Sequence, residues 1–223
     1  DSLRRLQVDA LDLTQLHCIP TEVMRRGDVF DTLRALQQEG KIRYFGASVE
    51  SMEEAQLCLQ QEGLTALQII FNLFRQKPIP ALFDAAKAKG VALIIRLPLA
   101  SGLLAGTYSQ DTAFPEQDHR NYNKDGQYFN VGETFAGLPF ATGVELADAI
   151  KPWVPAGMTM AEMALRWILD FEAVSVIIPG ATKPAQVGRN AIPSDLPPLS
   201  AELHTKLRDL YTQRVTMHVR GKY

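Results

Sequence analysis

His17 closes the apolar run ALDLTQLH, Ser48 stands near the end of IRYFGASV, and Gln68 and Asn72 lie in LQIIFN. Arg96 interrupts VALIIRL, and the turn PGATK follows VSVIIP. Each is a hydrogen-bonding or charged group set into a stretch that otherwise buries well. Read alone, His17 is either a satisfied buried histidine or a catalytic one. Ser48 and Gln68 read equally as ordinary strand-end caps or as ligand contacts. Arg96 asks for more, because a buried guanidinium needs a partner. Either an acid on a neighbouring strand pairs with it, or it lies flat against a planar ring. The last turn has the makings of a phosphate site. Pro184 can start a helix there, free N–H groups at a helix start attract anions, and Lys183 and Arg189 add charge. Gln186 and Asn190, four residues apart, share one helical face. The plain alternative is a solvated basic helix end.

The elements that must carry these residues follow from periodicity. Five short runs rich in β-branched or aromatic residues (10–17, 42–49, 67–72, 91–97 and 174–179) read as strands. Amphipathic segments separate the first four. DVFDTLRALQQEG ends at Gly40, SMEEAQLCLQQEG carries a capping box at Ser51 and Glu54, and PALFDAAKAKG runs from Pro80 to Gly90. TMAEMALRWILDF repeats the box with Thr159 and Glu162. Strand and helix alternate with a spacing of roughly 25–30 residues, the mark of βαβ units and a parallel sheet. No strand is followed by GxGxxG, so the doubly wound dinucleotide fold lacks its fingerprint. A (β/α)8 barrel fits better, and in a barrel chemistry gathers at the C-terminal ends of the strands. Residues 107–143 keep no period and hold aromatics that include Phe114, Tyr122, Tyr128, Phe129 and Phe135, which reads as a lid-like loop.

Composition bounds the rest. The chain has 223 residues, 46% of them hydrophobic, enough for one domain spanning 1–223. A net charge of −2 gives no footprint for nucleic acid. The longest apolar stretch is broken by Arg96 and Pro98, so no membrane helix is expected. Cys18 and Cys58 have neither disulfide-framework nor zinc-ligand spacing and read as reduced thiols in a cytoplasmic protein. Oligomeric state is not legible.

Taken in order, SLRRLQVDALDLTQLH, EGKIRYFGAS, LQIIFNLFRQ, PLASGLLAG and IPGATKPAQVGRNA resemble the aldo-keto reductases, NADPH-dependent carbonyl reductases on a (β/α)8 barrel. The resemblance implies that His17 hydrogen-bonds a substrate carbonyl and that Ser48 and Gln68 hold the nicotinamide carboxamide. It places Leu99, Ser101 and Gly102 against the pyrophosphate, and Arg96 where an aromatic commonly stacks on the nicotinamide. Gly180, Thr182, Lys183, Gln186, Arg189 and Asn190 fall on the region gripping the adenosine and its 2′-phosphate, which favours NADPH over NADH. Val49 departs from the asparagine common after the serine.

The family's general-acid tyrosine must work far below its free pKa of about 10, helped by a lysine and an aspartate. Those three come from the family's first three strands, and none of the six tyrosines matches the motif. The sequence therefore predicts an incomplete barrel holding strands four to eight, N-terminally truncated. The expected function is reduction of a small aldehyde or ketone. A non-catalytic NADPH-binding regulatory subunit, or an inactive copy, is the alternative. A phosphosugar isomerase explains the last turn but not Ser48, Gln68 and Arg96 together.

Overall fold

The computed structural model describes residues 1–223. Its strands are β1 (Leu11–His17), β2 (Ile42–Ser48), β3 (Leu64–Ile70), β4 (Ala92–Arg96) and β5 (Val174–Ile177). All neighbours pair in parallel, and the order in the sheet is the order in the chain. The third strand begins earlier than its apolar run suggests. It also ends before Phe71 and Asn72, which open a fully buried loop through Gln76.

The helices are α1 (Ser2–Leu6), α2 (Thr21–Arg26), α3 (Asp28–Gln38), α4 (Met52–Leu59), α5 (Asp84–Ala88), α6 (His119–Tyr122), α7 (Phe140–Ile150), α8 (Met160–Leu169), α9 (Pro184–Ala191) and α10 (Ala201–Leu210). The Ser51 hydroxyl accepts from the Glu54 amide at the start of α4, and Thr159 with Glu162 completes a capping box on α8. At Pro80 the chain takes a wider turn over Ile79–Phe83 before α5 begins.

Side chains alternate across the sheet, and the core takes one set. Phe45, Ala47, Leu67, Ile69, Leu93 and Ile95 are at most 1% exposed and join one apolar cluster with Met24, Phe30, Ala55, Cys58 and Trp167. The other set looks out from the opposite face, where Tyr44, Leu13 and Val176 are 55%, 38% and 44% exposed. Parallel sheets are ordinarily covered on both faces, so this one-sided burial marks the free face as unusual. Gly46 lies where β2 slips register against β3, and a Cβ there would come within 2.4 Å of the Ala66 carbonyl oxygen.

The barrel expectation is corrected by this topology. β1 pairs only with β2 and β5 only with β4, so the sheet is open and does not close on itself. The chain is a compact five-stranded parallel α/β fold, not a barrel lacking strands one to three. Spacing alone could not show this, because βα repeats build open and closed sheets with the same local pattern.

Between β4 and α7 the chain is irregular but not loose. Tyr108, Phe114, Phe135 and Phe140 pack together with ring centroids 5.0–6.0 Å apart. Tyr122, Tyr128 and Phe129 remain exposed.

Candidate active site

Register puts three of the predicted residues in one row. His17 is paired with Ser48 and Ser48 with Gln68, so β1, β2 and β3 present them at one level, at their C-terminal ends and on the face free of helices. His17 is exposed. Ser48 is buried, and its hydroxyl lies 3.5 Å from Gln68 Oε1 and 3.7 Å from Cys18 Sγ. Gln68 Nε2 donates to Gln15 Oε1 at 3.2 Å, while the buried Gln15 Nε2 has no partner. Thr14 Oγ1 is likewise buried without one. A chain of amides that ends in an unused donor suits a ligand with its own carboxamide or carbonyl oxygen, since an unmet buried donor is costly.

Arg96 lies one step further along, in register with Ile70. It is 8% exposed and has found its acid, on the irregular segment and not on a neighbouring strand. Its guanidinium pairs with Glu133 and donates to the Val49 carbonyl at 3.0 Å, and it lies 4.0 Å from Cys18 Sγ. The cation expected to bear on a ligand is thus neutralised from within. One ligand atom each from Cys18, Glu50 and Glu133 lie within 4.8 Å of one another, but the guanidinium against Glu133 and Cys18 opposes a further cation. Burial pushes the Cys18 thiol up, although its hydrogen bond with Ser48 and the charge of Arg96 work the other way. It is therefore a neutral group, not a nucleophile.

The PLASG turn is turned inward. Leu99 packs on the core. Ser101, at φ +56°, donates to the Glu133 carbonyl at 3.3 Å and accepts from the Phe135 amide at 3.0 Å. Gly102, at φ +99°, leaves room for the Tyr108 hydroxyl, which a Cβ would approach to 2.3 Å. These residues fasten the segment 130–136 to the end of β4.

The turn after β5 is open by contrast. Residues 180–189 are all exposed. Gln186 Oε1 accepts from the Thr182 and Lys183 amides at 2.6 and 2.9 Å, so the chain caps the N–H groups of this helix start itself. Asn190 Nδ2 donates to the Gly180 carbonyl at 3.3 Å. The side chains of Lys183 and Arg189 stay in solvent and reach no carboxylate. Because the strands are parallel, this turn and the row share one end of the sheet.

Several residues at this rim escaped the sequence reading. Arg75, 1% exposed, donates to the carbonyls of Ala136, Arg220 and Lys222 at 3.1 Å each and stacks over Tyr223 at 4.5 Å. Burial pulls its ionisation down, partly restored by the nearby Tyr223 and Glu133. Lys222 bridges Glu50 at 3.5 Å and Glu54 at 3.0 Å. Burial opposes the charge on Glu54, and donors from the Glu50 amide, Lys222 and Thr21 outweigh it, so the carboxyl is held below its usual range. Tyr223 is pushed upward by burial, which makes it a poor proton donor near neutrality. The usable signal was Arg75 within FNLFRQ, a charge inside a long apolar stretch. Nothing in the aperiodic segment marked Glu133.

Comparison with known proteins identifies a family. The model of the Aldo/keto reductase family matches residues 1–212. Aldo-keto reductase YhdN of Bacillus subtilis (strain 168) is 28% identical over 187 residues, covering 84% of this chain and 54% of that protein. The NADH-specific methylglyoxal reductase of Escherichia coli (strain K12) is 26% identical, covering 85% of this chain and 56% of its own length. The glycerol dehydrogenase AKR11B4 from Gluconobacter oxydans superposes with a TM-score of 0.73 at 27% identity, over 96% of this chain and 62% of that one. The chain thus spans about half the length of the curated relatives it matches. With its matched span running through all five strands, the chain belongs to the aldo/keto reductase family.

Proposed function

We propose that the protein is a nicotinamide-dependent oxidoreductase that reduces a short, polar aldehyde or ketone to the alcohol. The observation that carries this reading is the row His17–Ser48–Gln68 on the free face, beside the unused donor of Gln15. Ser48 and Gln68 would hold the carboxamide of the cofactor, which when bound supplies the hydride. His17, exposed at the row's edge, would donate a hydrogen bond to the carbonyl oxygen as charge grows on it. Lys183 and Arg189, free in solvent, would meet a 2′-phosphate and favour NADPH over NADH. The Escherichia coli relative's NADH specificity makes that preference a point to measure.

The substrate class follows the relatives named for methylglyoxal and glycerol, both short and polar. The segment 107–143 serves as the lid over this substrate. No tyrosine of the chain is assigned as the acid. No helix is long and apolar enough to cross a membrane, and two free thiols suit the cytoplasm.

The test is cofactor oxidation followed by absorbance with a short hydroxyaldehyde, together with direct titration of NADPH and NADH. Turnover with NADPH supports the enzyme. Tight binding without turnover supports a regulatory NADPH-binding subunit. Absence of binding rejects both.

A further inference from the structure

We propose that Glu133 is a specificity-determining residue. By neutralising Arg96 at the strand-end rim, it lets the site hold the oxidised, cationic nicotinamide as well as the neutral reduced one. The proposal rests on the cofactor reading above and concerns the charge around the ring.

Arg96 is close to the groups that would hold the carboxamide. Its guanidinium lies 4.0 Å from Cys18 Sγ, which lies 3.7 Å from Ser48 Oγ, itself 3.5 Å from Gln68 Oε1. A bare charge at that position, 8% exposed, would be poorly screened. It would repel a pyridinium ring and leave a dihydropyridine ring almost unaffected. Around Arg96 the charge as built has no such excess. Arg75, Arg96 and Lys222 there face the carboxylates Glu50, Glu54 and Glu133. Lys222 serves Glu50 and Glu54. Glu133 is the acid that pairs with Arg96, and its charge also steadies the buried Arg75. Glu133 is held for this role from its own backbone, since its carbonyl accepts from Ser101 at 3.3 Å.

A purely structural Glu133 would affect both cofactor forms alike, whereas a compensating charge affects their ratio. The experiment is equilibrium titration of NADP⁺ and NADPH against the unmodified protein, Glu133→Gln, Arg96→Met and the double variant. In Glu133→Gln, NADP⁺ affinity relative to NADPH is expected to fall about tenfold, the effect of one poorly screened unit charge at several ångströms. Arg96→Met, which leaves the carboxylate alone, moves the ratio the opposite way and carries the test if Glu133→Gln does not fold. The double variant returns to the unmodified ratio. An unchanged ratio in Glu133→Gln, or in Arg96→Met should that variant stand alone, overturns the proposal. So does a double variant that keeps the ratio of Glu133→Gln. Failure of the unmodified protein to bind either form overturns the functional reading and takes this proposal with it.

Discussion

The ends of β4 and β5 are neighbours, and each presents cations, but the two sets are treated in opposite ways. At β4 the guanidinium of Arg96 is buried, with Glu133, the Val49 carbonyl and the Cys18 sulfur against it. Arg75 beside it spends its donors on three backbone carbonyls. After β5, Lys183 and Arg189 stand in water with no carboxylate partner. The difference separates architecture from recognition. A buried cation must be satisfied by the chain itself or it destabilises the fold, so Arg75 and Arg96 fasten the irregular segment and the C-terminal tail to the sheet. An exposed cation carries no such obligation and is free for a ligand.

The largest effect should come from breaking the charge-paired end. Glu133→Gln leaves Arg96 buried beside Arg75 without its acid, and a loss of about 3–5 kcal/mol is expected. Denaturant midpoints measure it, and a loss below about 1 kcal/mol would put the β4 end in the same class as the β5 end. His17→Ala sharpens the comparison from the free face. The side chain is exposed, so the thermal midpoint should hold while turnover falls about 100-fold, or about 3 kcal/mol of barrier. Lys183→Ala with Arg189→Ala should weaken NADPH about tenfold, leave NADH unaffected and keep stability within about 0.5 kcal/mol, a surface-substitution effect. Titrations of both cofactors beside a melt decide this; a large drop in stability would show that these cations are structural after all.

The smallest effect is one of pH. The Glu54 carboxyl is lowered in the folded chain, so its contribution is complete above the free value of about 4.3 and is lost as pH falls through the folded value. Urea midpoints between about pH 6 and 3 should drop by about 1 kcal/mol more in the unmodified protein than in Glu54→Gln. Equal slopes would release Lys222 from any part in holding the tail.

His17 and Ser48 were legible because strand ends can be read from apolar runs; Gln68 lies near the start of its run, and the register of β2 on β3, with its slip at Gly46, brings it beside Ser48. The capping residues Ser51 and Thr159 were legible for a similar reason, since their partners lie three residues away. Arg96 was half legible. Its burial called for an acid, but Glu133 comes from a segment without periodicity, 37 residues further on. Arg75 was not read at all, because its partners arrive from as far as 147 residues away with the returning tail.

The sequence by itself determined the alternation of strand and helix and, through it, the parallel sheet, because each element follows from its own periodicity and caps; the level at which His17, Ser48 and Gln68 stand comes from pairing between strands. Only the tertiary structure decided that the sheet stays open, that Arg96 is neutralised and that Lys183 and Arg189 are not. Closure and charge pairing depend on which distant segments meet, and local patterning is blind to that.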